Sequence, residues 1–124
     1  MTALKDTEIA WAAGFWEGEG YVYAWKHRSP NGKTYVYLKV GASQKEPELL
    51  ERLHAMFGGN KVHRSSNIQR IWRWGATSAT AEHFIEAIWP WLSLRRREQI
   101  EAARIKVAEA PAKRGYRRGV PRQL

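Results

Sequence analysis

From Trp11 to Gly20 the chain reads Trp-Ala-Ala-Gly-Phe-Trp-Glu-Gly-Glu-Gly, an apolar helical stretch that runs into two carboxylates separated by one glycine. Small residues recur every fourth position at Ala10, Gly14 and Gly18, so on a helix they form one bare ridge down which a second helix backbone can approach closely. A glycine inside a helix costs about 1 kcal/mol against alanine, which points to a packing gain along that ridge. Glu17 and Glu19 fall at the C-terminal end, where the helix macrodipole disfavours each anion by about 0.3 to 1 kcal/mol. A bound cation would offset that penalty. An amphipathic helix that simply ends in a polar turn is the plainer alternative.

The 124 residues suffice for one core but not for two, so residues 1–110 are read as a single domain. Residues 111–124 hold five basic residues, no acid, two prolines and two glycines, and are expected to be disordered in isolation. No apolar run reaches the ~18 residues of a membrane span, and the first ten residues lack the basic-then-apolar order of a secretory signal. Cysteine is absent, which excludes disulfides and thiolate zinc sites and fits a reducing interior. The expected location is intracellular, in the cytoplasm of a prokaryotic or phage-infected host or in an organelle.

A formal charge of +9 points to a polyanionic partner, either nucleic acid or a membrane surface. Its distribution separates the two. Residues 1–20 carry Lys5 against Asp6, Glu8, Glu17 and Glu19, a net of −3, so the remainder carries +12. No acid occurs from Tyr21 to Lys45 or from Arg52 to Ala81. These windows are the strand-like parts of the chain, so the basic surface is a sheet face rather than a membrane-seeking helix. Protection of exposed sheet edges needs only one or two charges.

Taken in order, Thr7 or Asp6 is the expected cap of a helix from Glu8 to about Gly18, with Ile9, Ala12, Phe15 and Trp16 toward the core. Tyr21, Tyr23, Trp25 and His27 then alternate with Val22 and Ala24, and Val36, Leu38, Val40 and Ala42 alternate with Tyr35, Tyr37 and Lys39 across a Ser29–Lys33 turn. Pro47 opens a second helix that Gly58-Gly59-Asn60 closes. A second hairpin is expected from Lys61–Ser65 and Ile68–Ala76, with Val62, Trp72 and Trp74 inward. Thr77 or Ser78 caps a third helix that Pro90 ends, and Ser93 opens a fourth that runs to about Ala110.

The sum is an α+β domain of order αββαββα with a four-stranded antiparallel sheet. Its outer face offers Tyr23, Trp25, His27, Lys33, Tyr35, Tyr37 and Lys39 from the first hairpin, and Lys61, His63, Gln69, Ile71 and Arg73 from the second. Basic side chains can bond to guanine edges or phosphates, Gln69 could read adenine, and the rings can make apolar or stacking contacts. His27, His54, His63 and His83 have no zinc-ligand spacing. No Ser-His-Asp arrangement, phosphate-cradling loop or nucleotide fingerprint occurs.

Gly14-Phe15-Trp16-Glu17-Gly18-Glu19-Gly20, preceded by Ala12-Ala13, resembles the signature of LAGLIDADG homing endonucleases in the variant that ends acid-glycine-acid-glycine. The motif occurs once, so the resemblance is to the single-motif branch, whose members act as homodimers, and it extends over roughly residues 7–108. It implies a site-specific double-strand DNA endonuclease acting on a long pseudo-palindromic target, with Mg²⁺ as the metal. Mn²⁺ should substitute, and Ca²⁺ should bind without supporting cleavage. Carboxylates are suitable ligands for Mg²⁺, and a metal can activate water and stabilise the leaving oxygen of a phosphodiester.

The resemblance assigns metal binding to Glu19 with the Gly18 carbonyl, and a more structural place near the dimer interface to Glu17. The interface is expected from Ala10, Ala13, Gly14, Glu17 and Gly18. Gln44 matches the polar residue that orients water, a plain strand-end cap being its other reading. Arg95 in Pro90-Trp91-Leu92-Ser93-Leu94-Arg95 matches a basic residue that stabilises transition-state charge. Lysine is usual there, and arginine keeps the charge but is poorly suited to proton transfer. Arg96 and Arg97 are expected to contact DNA, and the arginine run could be a phosphate-binding stretch at a helix start. No membrane and no small-molecule cofactor are expected. The competing function is a catalytically inactive DNA- or RNA-binding protein, a maturase or regulator on the same scaffold.

Overall fold

The computed structural model describes residues 3–65 and 70–110. Gln69 and the 111–124 tail lie outside them. Helix α1 spans Asp6–Glu19 and starts earlier than expected. Lys5, not Thr7 or Asp6, is the capping residue, because the Glu8 carboxylate reaches back and accepts the Lys5 backbone N–H at 3.1 Å. This is the reciprocal half of a capping box. Asp6 and Glu8 also complement the positive end of the helix dipole.

Strands β1 (Gly20–Arg28) and β2 (Thr34–Gln44) form the long hairpin, paired from Gly20 opposite Ala42 to Arg28 opposite Thr34. Gly32 at its turn has φ +85°, a left-handed conformation that glycine adopts without strain. Helix α2 covers Glu48–Phe57. The second hairpin is shorter than expected, with β3 at His63–Arg64 and β4 at Trp72–Thr77. Arg70 takes φ +55°, which breaks the extended run that the sequence pattern continues. Helix α3 (Ser78–Ile88), a 3-10 turn (Trp89–Trp91) and helix α4 (Leu94–Ala108) complete the described chain.

The sheet is antiparallel throughout, in the order β1-β2-β4-β3. Its inner face carries Val36, Leu38, Val40, Ala42, Trp74 and Ala76, all buried. Trp16, Leu50, Leu53, Phe84, Ile85, Ile88 and Ile100 from the helices complete the core. Trp72 lies inward but only half-buried, since β4 begins there. The outward positions of β1 and β2 remain on the uncovered face, so the alternation read from the sequence holds across this hairpin.

Ala13 departs from its expected role. It is completely buried in the core of the single chain, one position off the ridge, and has no surface to offer a second copy. Gly14 and Gly18 are exposed, and a β-carbon added to either would have nothing within 4 Å. Packing within one chain therefore gives no reason for these two glycines. No helix among the described residues is long and apolar enough to cross a membrane.

Candidate active site and nucleic-acid interface

The C-terminal end of α1 delivers its two carboxylates to different surroundings. Glu19 ends the helix, is exposed, and accepts a hydrogen bond from the Gln44 side-chain amide at 3.1 Å. Two residues 25 positions apart in sequence thus meet because α1 passes directly into β1, while β2 returns antiparallel beside it. Among the described residues no lysine or arginine pairs with Glu19. Gly18 lies in the last turn, where carbonyls lack an i+4 partner within the helix.

Glu17 is bound within the chain. It accepts the Ser93 backbone N–H at 2.9 Å and the Ser93 hydroxyl at 2.7 Å, and the Arg95 guanidinium lies 3.8 Å away. Burial pushes its carboxyl upward, but the Ser93 hydrogen bonds and the charges of Arg96 and Arg95 outweigh this and hold it below its ordinary value of 4.5. Arg95 is therefore next to Glu17 rather than Glu19, with 64% of its side chain exposed.

Of the other two arginines, Arg96 is too buried to contact DNA as expected, whereas Arg97 is half-buried. Arg96 is 8% exposed, and its guanidinium donates to the backbone carbonyls of Glu17 and Gly20. Arg97 donates to the carbonyls of Trp89 at 3.0 and 3.2 Å and of Pro90 at 3.3 Å. Each ties up backbone oxygens where an element ends. A signal for Arg96 existed in the sequence: Arg96, Ile100, Ala103 and Val107 share one helical face, and all four are buried.

Across the outer sheet face the rings pack in two groups. Tyr21 lies 5.9 Å from Tyr23, and Trp25 lies 5.1 Å from His27 and 5.8 Å from Tyr37, centroid to centroid. Tyr37 continues to Tyr35 at 6.5 Å. The Lys39 ammonium stands 4.7 Å above the Trp25 ring, a cation–π contact. Burial, and then repulsion by Arg73, lowers the Lys39 pKa. Two cations are thus held close on one face, an arrangement that an anionic ligand would relieve.

Lys33 sits at the tip of the first hairpin, its backbone N–H donating to Asn31 at 2.8 Å. Lys61 and His63 are exposed, with the His63 ring nitrogen 3.2 Å from the Lys61 carbonyl. Ile71 and Arg73 are half-buried on the second hairpin. Two glycines pack closely beside this face. Gly41 is buried where a β-carbon would run into the Tyr21 ring and hydroxyl, so Tyr21 lies flat across β2. A β-carbon on Gly20 would collide with the Trp16 indole.

For a metal, the donor set is apt in kind and incomplete in number. Glu19 offers a hard, exposed oxygen ligand suited to Mg²⁺. No group of three or more His, Asp or Glu side chains converges among the described residues.

No family model and no curated protein matches the sequence. Solved structures do match. The homing endonuclease I-CvuI, in complex with its target in the presence of Ca²⁺, superposes with a TM-score of 0.71 at 16% identity over 89% of this chain and 71% of that one. The archaeal intron-encoded homing endonuclease I-Vdi141I, complexed with DNA, gives 0.64 at 15% identity over 84% and 71%. The LAGLIDADG homing endonuclease I-GzeII, in complex with a DNA target, gives 0.63 at 14% identity over 86% of this chain and 36% of that one. The chain has the fold of the LAGLIDADG homing endonucleases, with the motif Gly14–Gly20 on α1 and at its junction with β1.

Proposed function

We propose that the protein is a metal-dependent, site-specific double-strand DNA endonuclease that acts as a homodimer on a long pseudo-palindromic target. The observation that supports this most directly is the Glu19–Gln44 pair at 3.1 Å, beside a basic, aromatic sheet face. Mg²⁺ is the favoured metal, held by Glu19 and the Gly18 carbonyl, with Mn²⁺ as a substitute. When bound it would supply Lewis-acid stabilisation and an activated water. Glu19 provides charge and a ligand oxygen, while Gln44 orients the carboxylate and offers an amide to a nearby water.

The open Gly14 and Gly18 surface, with half-buried Ala10 beside it, accounts for the partner. A second copy packed on this ridge would bring a second Glu19 close to the first, completing what one chain supplies in part. The sheet of each copy would then read one half-site. If six or more phosphates are neutralised, affinity should fall by about three decades between 50 and 200 mM salt.

The test is to incubate purified protein with a plasmid library under Mg²⁺, Mn²⁺ or Ca²⁺ and to sequence the ends produced. Cutting at a discrete site under Mg²⁺ and Mn²⁺ but not Ca²⁺ is expected. Metal-independent silence on a library that contains a bound site would refute the enzyme and leave a DNA- or RNA-binding protein. One observation favours that second reading: Arg95 leans on Glu17, away from Glu19. Light scattering of Gly14→Leu tests the partner, with loss of the dimer expected.

A further inference from the structure

Arg96 is a charged side chain inside the protein, and a buried charge is stable only when its donors are matched. Its matches are specific. Nη2 donates to the Glu17 carbonyl at 2.9 Å, the Gly20 carbonyl at 2.9 Å and the Trp16 carbonyl at 3.4 Å. Nε donates to the Glu17 carbonyl at 3.0 Å, and Nη1 to the Gln99 side chain at 2.9 Å. The guanidinium carbon also lies 4.7 Å from the centroid of the Trp16 ring, and that ring lies against the α-carbon of Gly20.

The held carbonyls bracket Gly18 and Glu19. Helices often end with a left-handed residue that turns the chain and satisfies the last carbonyls from the backbone. Gly20 is extended instead, with φ −88° and ψ 169°, so α1 enters β1 without a turn. The carbonyls at its end then need donors from elsewhere. Arginine presents five N–H groups in a rigid fork, whereas an ammonium is a single point.

We propose that Arg96 is a positioning residue for Glu19: by holding the carbonyls of Glu17 and Gly20, it fixes the backbone between them and so aims the Glu19 carboxylate at Gln44. This rests on Glu19 being the metal-holding acid proposed above. A purely structural cap would stabilise the helix end without affecting how Glu19 and Gln44 interact.

The experiment compares Arg96→Gln and Arg96→Lys with Arg104→Gln, which removes the same charge further along α4, where it pairs with Glu82 at 2.6 Å. Two readouts are taken on the full chain. The first is the side-chain amide resonance of Gln44, compared by NMR with Glu19 present and in a Glu19→Gln background. The second is calorimetric Ca²⁺ binding to the protein–DNA complex. With Arg96 in place the amide shift should respond to the loss of the Glu19 carboxylate, because the two side chains are hydrogen-bonded. In Arg96→Gln that response should disappear and Ca²⁺ affinity should fall by about 10- to 100-fold, as for outer-shell groups of metal sites. Arg96→Lys should fall between, and Arg104→Gln should match the wild type in both readouts.

If Arg96→Gln folds and retains both the amide response and the Ca²⁺ affinity, the proposal is wrong. Should Arg96→Gln not fold, Arg96→Lys decides, and wild-type behaviour in both readouts overturns the proposal. If the wild-type complex binds no Ca²⁺ yet the amide response is present and is lost in Arg96→Gln, the nuclease reading fails while the positioning of Glu19 stands.

Discussion

Glu17 and Glu19 are two residues apart on one helix end and have opposite environments. Glu17 is gripped by the backbone and hydroxyl of Ser93 and faced by Arg95. Glu19 has the Gln44 amide and an open side toward solvent. Both carboxylates meet the same unfavourable end of the helix dipole. One is compensated within the fold, which makes it a strut joining α1 to the start of α4. The other meets the Gln44 amide and solvent.

Substitution of Glu19 should produce the largest effect. Glu19→Gln is expected to lower single-turnover cleavage by about a thousandfold, corresponding to roughly 4 kcal/mol of lost charge stabilisation. Its DNA affinity measured in Ca²⁺-free buffer and its melting temperature should stay near wild type. Retained cleavage would erase the contrast between the two acids. Gln44→Ala comes next, with cleavage reduced by about 10- to 100-fold and unchanged thermal stability. A loss of stability without a loss of rate would make Gln44 a strand-end cap.

Glu17→Gln should act on the fold, lowering stability by about 1 to 2 kcal/mol in denaturant titrations, since hydrogen bonds to a charged group in a half-exposed site are lost. Its pH dependence gives a sharper measure. A carboxyl held below its ordinary value contributes stability that is present above about pH 4.5 and is lost as pH falls through the lower folded value. Wild type should therefore lose stability on acidification below that point, and Glu17→Gln should lack this part of the loss. Arg95→Ala should have the smallest effect on stability, below about 0.5 kcal/mol, because an exposed pair at 3.8 Å contributes little. A large drop in cleavage from the same variant would assign Arg95 to the chemistry despite its place beside Glu17.

Alternation carried the first hairpin: all of Val36, Leu38, Val40 and Ala42 point into the core, and their neighbours in sequence face out. The ends of the elements were harder to read. Arg95-Arg96-Arg97 looks uniform as a string, yet one turn of α4 sends the three side chains to three destinations: Glu17, the end of α1, and the end of the 3-10 turn. Only the phase of α4 relative to the core separates them, and a run of identical residues hides that phase. Arg70 likewise takes a left-handed backbone angle two residues ahead of β4, which its side chain does not announce. Ala13 reads as an interface residue in a motif of small side chains, but it is completely buried in the core with Ala12 and Trp16. The meeting of Glu19 with Gln44 was legible only through the family resemblance, since spacing alone cannot bring two distant strand and helix ends together.

The direct passage from α1 to β1 leaves no slack between the element that would pack against a partner and the sheet that would lie on the target. A loop would let each side adjust independently. Here a change in the tilt of α1 rotates β1 with it, and the rest of the hairpin follows through its register with β2. In a dimer built on this helix, the crossing angle of the two helices and the angle between the two sheets are one mechanical variable. Such a dimer could not adapt to a different spacing between half-sites without changing how its two copies meet.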